Sequence, residues 1–446
     1  MSVTRRRFSA ALAALPLFSA DSKGWALRDQ ILARIKAPTF PKKDFVITKY
    51  GGSVSNAVEA CAKAGGGRVV VPAGEWLTGP VHLKSNVNLY VAKGATLKFD
   101  TDPKKYLPLV LTRWEGLECM NYSPLIYAYG QKNVAVTGEG TLDGQADNQH
   151  WWMWKGSRNS GGGPNQNKAR LALAEMAERD VPAKERVLGE GSNLRPNFIQ
   201  PFECRNVLIE GVTIVGSPMW EIHPLHCRNV IVRGVKINSH GPNNDGCDPE
   251  SCSDVLIENC QFDTGDDCIA IKSGRNRDGR RIDVPSENII VRNCDMKDGH
   301  GGVTIGSEIS GGCRNVFIED CRMDSPHLDR VLRLKTNSVR GGFIEDIYLR
   351  NVTVGQVAGG AIDVDLTYEE GDKGKFPPVI RGIHVEKLTV KKMRSVLYLR
   401  GYASAPIKDL TVKDSVFENA EKPDTLEHVE GLKLTNVQVN GKEALQ

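Results

Sequence analysis

The feature that most constrains this chain is a short repeat. Asn, Asp or Gly is followed by apolar-x-apolar, one spacer, then Gly, Asn, Asp or Lys, then apolar-x-apolar again. Copies begin at Asn206 (NVLIEGVTI), Asn229, Asp254, Asn288, Asn315, Asp346, Gly382, Asp409 and Gly431, and a variant (NVAVTGEGTL) begins at Asn133. Each copy reads as two strands of period-two alternation separated by a turn-prone residue. Copies spaced 22 to 36 residues apart cannot each bury an apolar face alone, so neighbours must stack. Parallel stacking puts equivalent residues about 4.8 Å apart along the axis. The pattern predicts an all-β, single-stranded parallel β-helix. A β-sandwich and a propeller are the alternatives; a propeller blade needs about 40 residues or more per unit, longer than most of these spacings.

A solenoid needs its open ends covered. Residues 25–36 (WALRDQILARIK) carry Leu27, Ile31, Leu32 and Ile35 at helical spacing and are stopped by Pro38 and Pro41, which predicts a helix capping the N-terminal end. A second helix is expected over Ser55 to Ala64, followed by a buried strand in GGGRVVVPAG. Between Asp143 and Asn206 the rhythm breaks. This stretch holds Trp151, Trp152 and Trp154, a helix-like run from Lys168 to Arg179, and SGGGPNQN. It predicts a lateral lobe of the kind that shapes binding sites. The tryptophans are assigned to packing of that lobe in preference to sugar stacking.

The first 24 residues read as an export leader. Arg5, Arg6 and Arg7 precede a short apolar stretch, Phe8 to Phe18, in a twin-arginine-like arrangement. Cleavage is expected between Ala20 and Ala26, which leaves residues 25–446 as one β-helix domain, bacterial and exported to the periplasm or beyond. No later stretch is apolar for long enough to span a bilayer. Those three arginines supply most of the net charge of +4, so only +1 remains beyond residue 20. Such a weak field will not gather a polyanion by itself, and no nucleic-acid partner is expected. Any acidic ligand must be held by a few placed cations. The eleven cysteines are an odd number, and Cys260, Cys294 and Cys321 occupy one position of successive copies. That equivalence favours stacked, buried thiols, and no disulfide pairing is assigned.

Four polar motifs follow the second strand of consecutive copies: Asn243-Asn244-Asp245-Gly246-Cys247-Asp248, Gly265-Asp266-Asp267-Cys268, Gly299-His300-Gly301 and Arg333-Leu334-Lys335. Asp266 and His300 hold the same offset from Asp254 and Asn288, so stacking should bring them together. Arg333 and Lys335, two apart in a strand, face the same way, with Leu334 turned to the core. The result is a column of three carboxylates, an imidazole and two cations. Glycosidic hydrolysis needs such a set, one carboxylic acid to protonate the leaving oxygen and another carboxylate to activate water or attack. Close carboxylates raise one another's pKa and can keep an acid protonated, while Arg and Lys suit an anionic sugar. Turn formation alone would explain any one motif, but not four on successive coils. Asp248, followed by Pro249, is read as turn or support as readily as chemistry.

At these residues the chain resembles the polygalacturonases, glycoside hydrolases of family twenty-eight, over roughly residues 45–440. The family's ordered set is Asn-x-Asp, Asp-Asp, Gly-His-Gly and Arg-x-Lys; Asn244 stands where Thr is usual and Leu334 where Ile is usual. The resemblance implies a right-handed β-helix that hydrolyses with inversion and without a metal or cofactor. It implies Asp266 as general acid, Asp245 and Asp267 as activators of water, and His300 as support for the acid. It implies substrate binding by Arg333, Lys335 and Asn243. Tyr368 is similar to a later active-site tyrosine, with packing as the alternative. Rhamnogalacturonan hydrolases of the family generally lack the last two motifs, which favours homogalacturonan or oligogalacturonides. SGRNRDGRRIDVPSE from Ser273 resembles the bacterial exo-acting branch. In that reading Arg275, with Arg277, Arg280 and Arg281, grips a terminal uronate; a solvated basic loop is the other reading. An endo enzyme, a rhamnosidase, a xylogalacturonan hydrolase, a calcium-dependent lyase and a non-catalytic polysaccharide-binding solenoid remain as rivals. A monomer is expected.

Overall fold

The structure, a computed structural model, describes residues 23–156 and 164–444. The leader assigned to the first 24 residues lies almost wholly outside the described residues. Both punctuating positions of the repeat lie in the left-handed region of backbone space: φ is 58° at Asn206 and 79° at Gly211, 59° at Asn229 and 62° at Gly234, 59° at Asp254 and 56° at Asn259. Asn, Asp and Gly enter that region at the least cost, which explains why the repeat accepts only a few residue types there. Equivalent residues pair in parallel up the stack: Val207 with Val230, Val255, Ile289, Val316, Ile347, Ile383 and Leu410 in turn. The bend side chains form a ladder, with Asn229 Nδ2 donating to Asn206 Oδ1 at 2.9 Å and Asn206 Nδ2 donating to Asn133 Oδ1 at 2.8 Å. The expected parallel β-helix is therefore observed.

Each coil adds a third strand outside the repeat pattern. These strands include Ile199–Phe202, Ile269–Ile271, Val303–Gly306, Leu332–Lys335, Gly360–Asp365 and Ser395–Arg400, with single bridges Ile199 to Ile222, Cys247 and Ile269 joining the row. Its inward residues, such as Ile269, Ile305 and Leu334, are buried in the main core. Its outward residues form the floor of the site.

Helix α1 (Trp25–Arg34) forms as expected but does not cap the end. Ile31 and Ile35 pack instead on Leu208, Ile231, Leu256, Ile290 and Phe317, along the outside of the stack. This explains why the middle position of the repeat's first strand, which period-two reading turns outward, is apolar. Arg34 pairs with Asp254, and Arg28 with Glu319. Helix α2 (Val54–Lys63) is the N-terminal cap: Val54, Ala57, Val58 and Cys61 enter the main core over the first coil, and Ser53 Oγ accepts from Asn56 N at the helix start.

The lateral lobe also exists. It contains α3 (Asn167–Glu178), the strand Val187–Leu188 and an antiparallel hairpin, Val110–Trp114 with Leu117–Asn121, which the sequence reading missed. The hairpin turn is Glu115-Gly116, both at positive φ. Trp114, Leu117, Cys119, Leu173, Met219 and Trp220 form the lobe's own core. Trp151 is buried against Tyr106 and Trp154, and Trp152 and Trp154 pack beside it, so the tryptophans are packing residues as expected, but of the main core and not of the lobe's own. All eleven cysteines are free and buried.

Candidate active site

The four motifs converge on one cleft of about 410 Å³. Asn243, Asp245, Asp266, His300, Arg333, Lys335, Tyr368 and Arg275 all line it, and Asp267 lies just beneath, fully buried. Oxygens of Asp245, Asp266 and Asp267 lie within 4.8 Å of one another. His300 Nδ1 meets Asp266 Oδ1 at 2.8 Å, the adjacency that equal offsets predicted. Asp267 Oδ1 accepts from Thr304 Oγ1 and its Oδ2 from Lys335 Nζ, both at 2.8 Å, while Arg333 approaches only to 3.5 Å. Leu334 faces the core, as expected.

Local packing dictates the motif residues. Asn244 is buried and ties down the turn that presents Asn243 and Asp245: its Oδ1 accepts from Ser239 Oγ and Gly241 N, and its Nδ2 donates to Ser217 O and Met219 O. A Cβ at Gly301 would lie 2.3 Å from Thr304 Oγ1 and 3.0 Å from Asp267 Oδ1, so a side chain there would collide with the carboxylate's own support. Asn243 Oδ1 accepts from Lys155 Nζ at 2.7 Å and from Arg195 at 2.8 Å, which couples the catalytic edge to the lobe.

The three carboxyls differ in charge state. Burial raises Asp245, the neighbouring Asp266 raises it further, and Lys272 at 3.5 Å does not offset them, so its pKa stands at about 8. Its Oδ1 has no hydrogen-bond partner among the described residues. Burial also pushes Asp267 up, but Lys335 and Arg333 outweigh it and hold that carboxyl far below the usual range. Burial likewise opposes ionisation of Asp266, yet the His300 hydrogen bond prevails and lowers it, and the same bond raises His300. The retained proton therefore sits first on Asp245, whereas resemblance gives the acid role to Asp266. Groups this close titrate as a set sharing protons. Three carboxylates could also clasp a hard divalent cation; here the ammonium groups of Lys335 and Lys272 already stand against them.

The basic stretch after Ser273 divides. Arg275 lines the cleft, 3.4 Å from Glu115, 3.7 Å from Glu308 and 3.6 Å from Glu369. The other three do not join it. They belong to helix α4 (Asn276–Ile282), where Arg277 pairs with Asp180, Arg280 binds Val339 O over the Phe376 ring, and Arg281 pairs with Glu118 and Asp278. The solvated-loop alternative is also corrected, because this stretch is a docked helix. Asp248 is fully buried beside Lys272 at 3.6 Å and lies beneath the cleft. Sequence reading missed Lys272, Glu308, Trp220 and the lobe residues Glu115, Lys155 and Arg170. Lys272 had a signal: Ile269-Ala270-Ile271-Lys272 matches Leu332-Arg333-Leu334-Lys335, and Ile271 and Leu334 both pair with Ile305, so the two lysines follow equivalent positions of their strands. The lobe residues had none, since nothing local ties them to the cleft.

Residues 183–435, over half of the chain, match the sequence profile of glycosyl hydrolases family 28. The chain belongs to that family and is a hydrolase of the polygalacturonase type, with the family's right-handed parallel coil. A solved structure of a hyperthermoactive exopolygalacturonase from Thermotoga maritima is 45% identical, with a TM-score of 0.91 over 94% of this chain and 96% of that one. An endo-polygalacturonase of Pectobacterium parmentieri is 26% identical over 84% of this chain and 85% of its own length. An exo-poly-alpha-D-galacturonosidase of Dickeya chrysanthemi is also 26% identical, over 77% of this chain and 62% of its own length.

Proposed function

We propose that this protein is an exo-acting hydrolase that releases galacturonic acid from chain ends of homogalacturonan and oligogalacturonides. The observation that carries this reading is the hairpin of the lobe. It lies across the outward face of the third sheet before the catalytic coil: Thr112 binds Gln200 at 2.6 Å, Leu111 O accepts from Tyr127 Oη, and Arg113 reaches His226 and Glu250. A polymer lying on that face meets a wall there, while Arg275 ties the lobe to the Tyr368 loop through Glu115 and Glu369. The 45% identity to an exopolygalacturonase supports the same reading.

In this mechanism Asp245 and Asp266 share one proton near neutrality. Asp266 delivers it to the glycosidic oxygen, because its side chain is 18% exposed to the cleft against 4% for Asp245. His300 positions Asp266. Asp267, held ionised by Lys335, and Asp245, once deprotonated, orient and deprotonate the attacking water. Arg333, Lys335, Arg275, Asn243 and Tyr368 bind the uronate. Product profiling tests the mode: galacturonic acid alone from the first minutes is expected, and a ladder of intermediate sizes would mean endo action.

Inversion is read from family membership. Nearest oxygens within 4.8 Å are closer than the separation of about 6.5–9.5 Å usual between inverting carboxyls. Proton NMR of the first product decides it: the β-anomer from an α-linkage means inversion, and the α-anomer retention. Export follows from the leader read over residues 1–24, with residues 25–446 as the catalytic domain. N-terminal sequencing of protein recovered outside the cytoplasm checks both. Among the described residues no helix is long and apolar enough to cross a membrane.

A further inference from the structure

Beyond Arg333 and Lys335 the third sheet continues, and its outward face stays open. The register runs from Arg333 to Asp363, then to Tyr398 and Thr425. Two coil spacings, about 10 Å, separate Tyr398 from Arg333. Over these coils lies a second groove, of about 370 Å³, bounded by Arg330, Asp363, Arg394, Ser395, Tyr398 and Lys422. It adjoins the cleft through one pair of neighbours. Asp329 lines the cleft, Arg330 lines the groove, and the two are joined at 3.0 Å, with Arg330 also binding Asp363 at 2.7 Å.

Two of the cations in this groove are not spent within the protein. Asp363 is satisfied by Arg330, but neither Arg394 nor Lys422 has a side-chain partner among the described residues, and both are exposed. The cations of the cleft differ: Lys335, Lys272, Arg170 and Arg275 all face carboxylates of their own chain. The hydroxyl of Tyr398 is held by Arg400 at 3.2 Å, and Arg400 itself pairs with Glu427. Two free cations beside Tyr398 suit a sugar carrying a carboxylate, with the tyrosine against the pyranose and the free cations on the acid. With the chain's overall charge so small, such a local concentration is the means by which a polyanion would be guided along one face.

We infer that Arg394, Tyr398 and Lys422 form a remote binding site for the unreleased part of the polyuronide, so that the substrate leaves the blocked cleft toward the C-terminal coils. This rests on the cleft being a galacturonide-hydrolysing site. The site sets a preference for long chains over short ones, because digalacturonate is too short to reach it.

The experiment compares kcat/KM on long polygalacturonate with kcat/KM on digalacturonate, at low ionic strength, for the full chain and for Arg394→Glu/Lys422→Glu and Tyr398→Ala. The ratio of polymer to dimer is expected to fall about tenfold in the double variant and severalfold in Tyr398→Ala, carried by KM on the polymer, with Arg394→Lys restoring most of it. An unchanged ratio in both variants overturns the inference while leaving the hydrolytic reading intact. If the unsubstituted protein releases galacturonic acid from neither substrate, the hydrolytic reading itself falls.

Discussion

Lys335 Nζ donates to Asp267 Oδ2 at 2.8 Å across 68 residues of sequence, and both side chains are buried. Removing one partner strands the other charge out of water, which commonly costs about 3–5 kcal/mol. Lys335→Met is therefore expected to lower unfolding free energy by about 3 kcal/mol in urea titrations, as well as to abolish turnover. Adding Asp267→Asn should recover much of that stability and none of the activity. Arg333→Ala, which loses a 3.5 Å contact with Asp267 and a 5.9 Å contact with the Tyr368 ring, should mainly raise KM.

Asp266→Asn keeps the shape of the side chain and its contact with His300 while removing the proton donor. Turnover on polygalacturonate is expected to drop about a thousandfold, within the range general acids contribute. Circular dichroism and melting temperature should stay close to those of the parent. Undiminished release of reducing sugar would remove Asp266 from the acid role.

The proton that Asp245 shares with Asp266 stays bound up to about pH 8 in the folded state, against 3.8 for a free aspartate. Between those values the folded chain binds more protons than the unfolded one, so this group makes stability fall as pH rises. Asp245→Asn removes the slope. Its melting temperature should exceed the parent's by a margin that widens from about pH 5 to about pH 8 and then levels off, while activity is lost. Thermal melts across that range measure it.

Asn229 sits at φ 59°, bonds Asn206 through its amide and exchanges two hydrogen bonds with the backbone of Lys36. Asn229→Ala loses those bonds and also forces an alanine into the left-handed region. Asn229→Gly loses only the bonds. The alanine variant is expected to be less stable than the glycine variant by about 1 kcal/mol, read from paired denaturation curves, reversing the order usual in regular structure.

Much of the fold was legible because its signal is local. The two left-handed bends, five residues apart, can be written only in Asn, Asp, Gly and a few others, so the backbone requirement surfaces as a pattern. The third strand was less visible, because its copies, such as Ile269-Ala270-Ile271 and Leu332-Arg333-Leu334, lack a fixed bend before them. Helix α1 was found but misplaced: its spacing shows an apolar face without naming the surface that face will cover.

The sequence by itself determined the coil and the order of the motifs along it, since stacking converts equal offsets into adjacency and so brings His300 to Asp266. Only the tertiary structure decided that the hairpin docks across the third sheet, that Lys272 lies 3.5 Å from Asp245, and which carboxyl keeps a proton. Those outcomes depend on burial and on contacts between distant segments, such as Arg186 of the lobe with Asp278 of α4, 92 residues on. Burial and charge pairing arise from three-dimensional proximity, and no spacing within either segment encodes them.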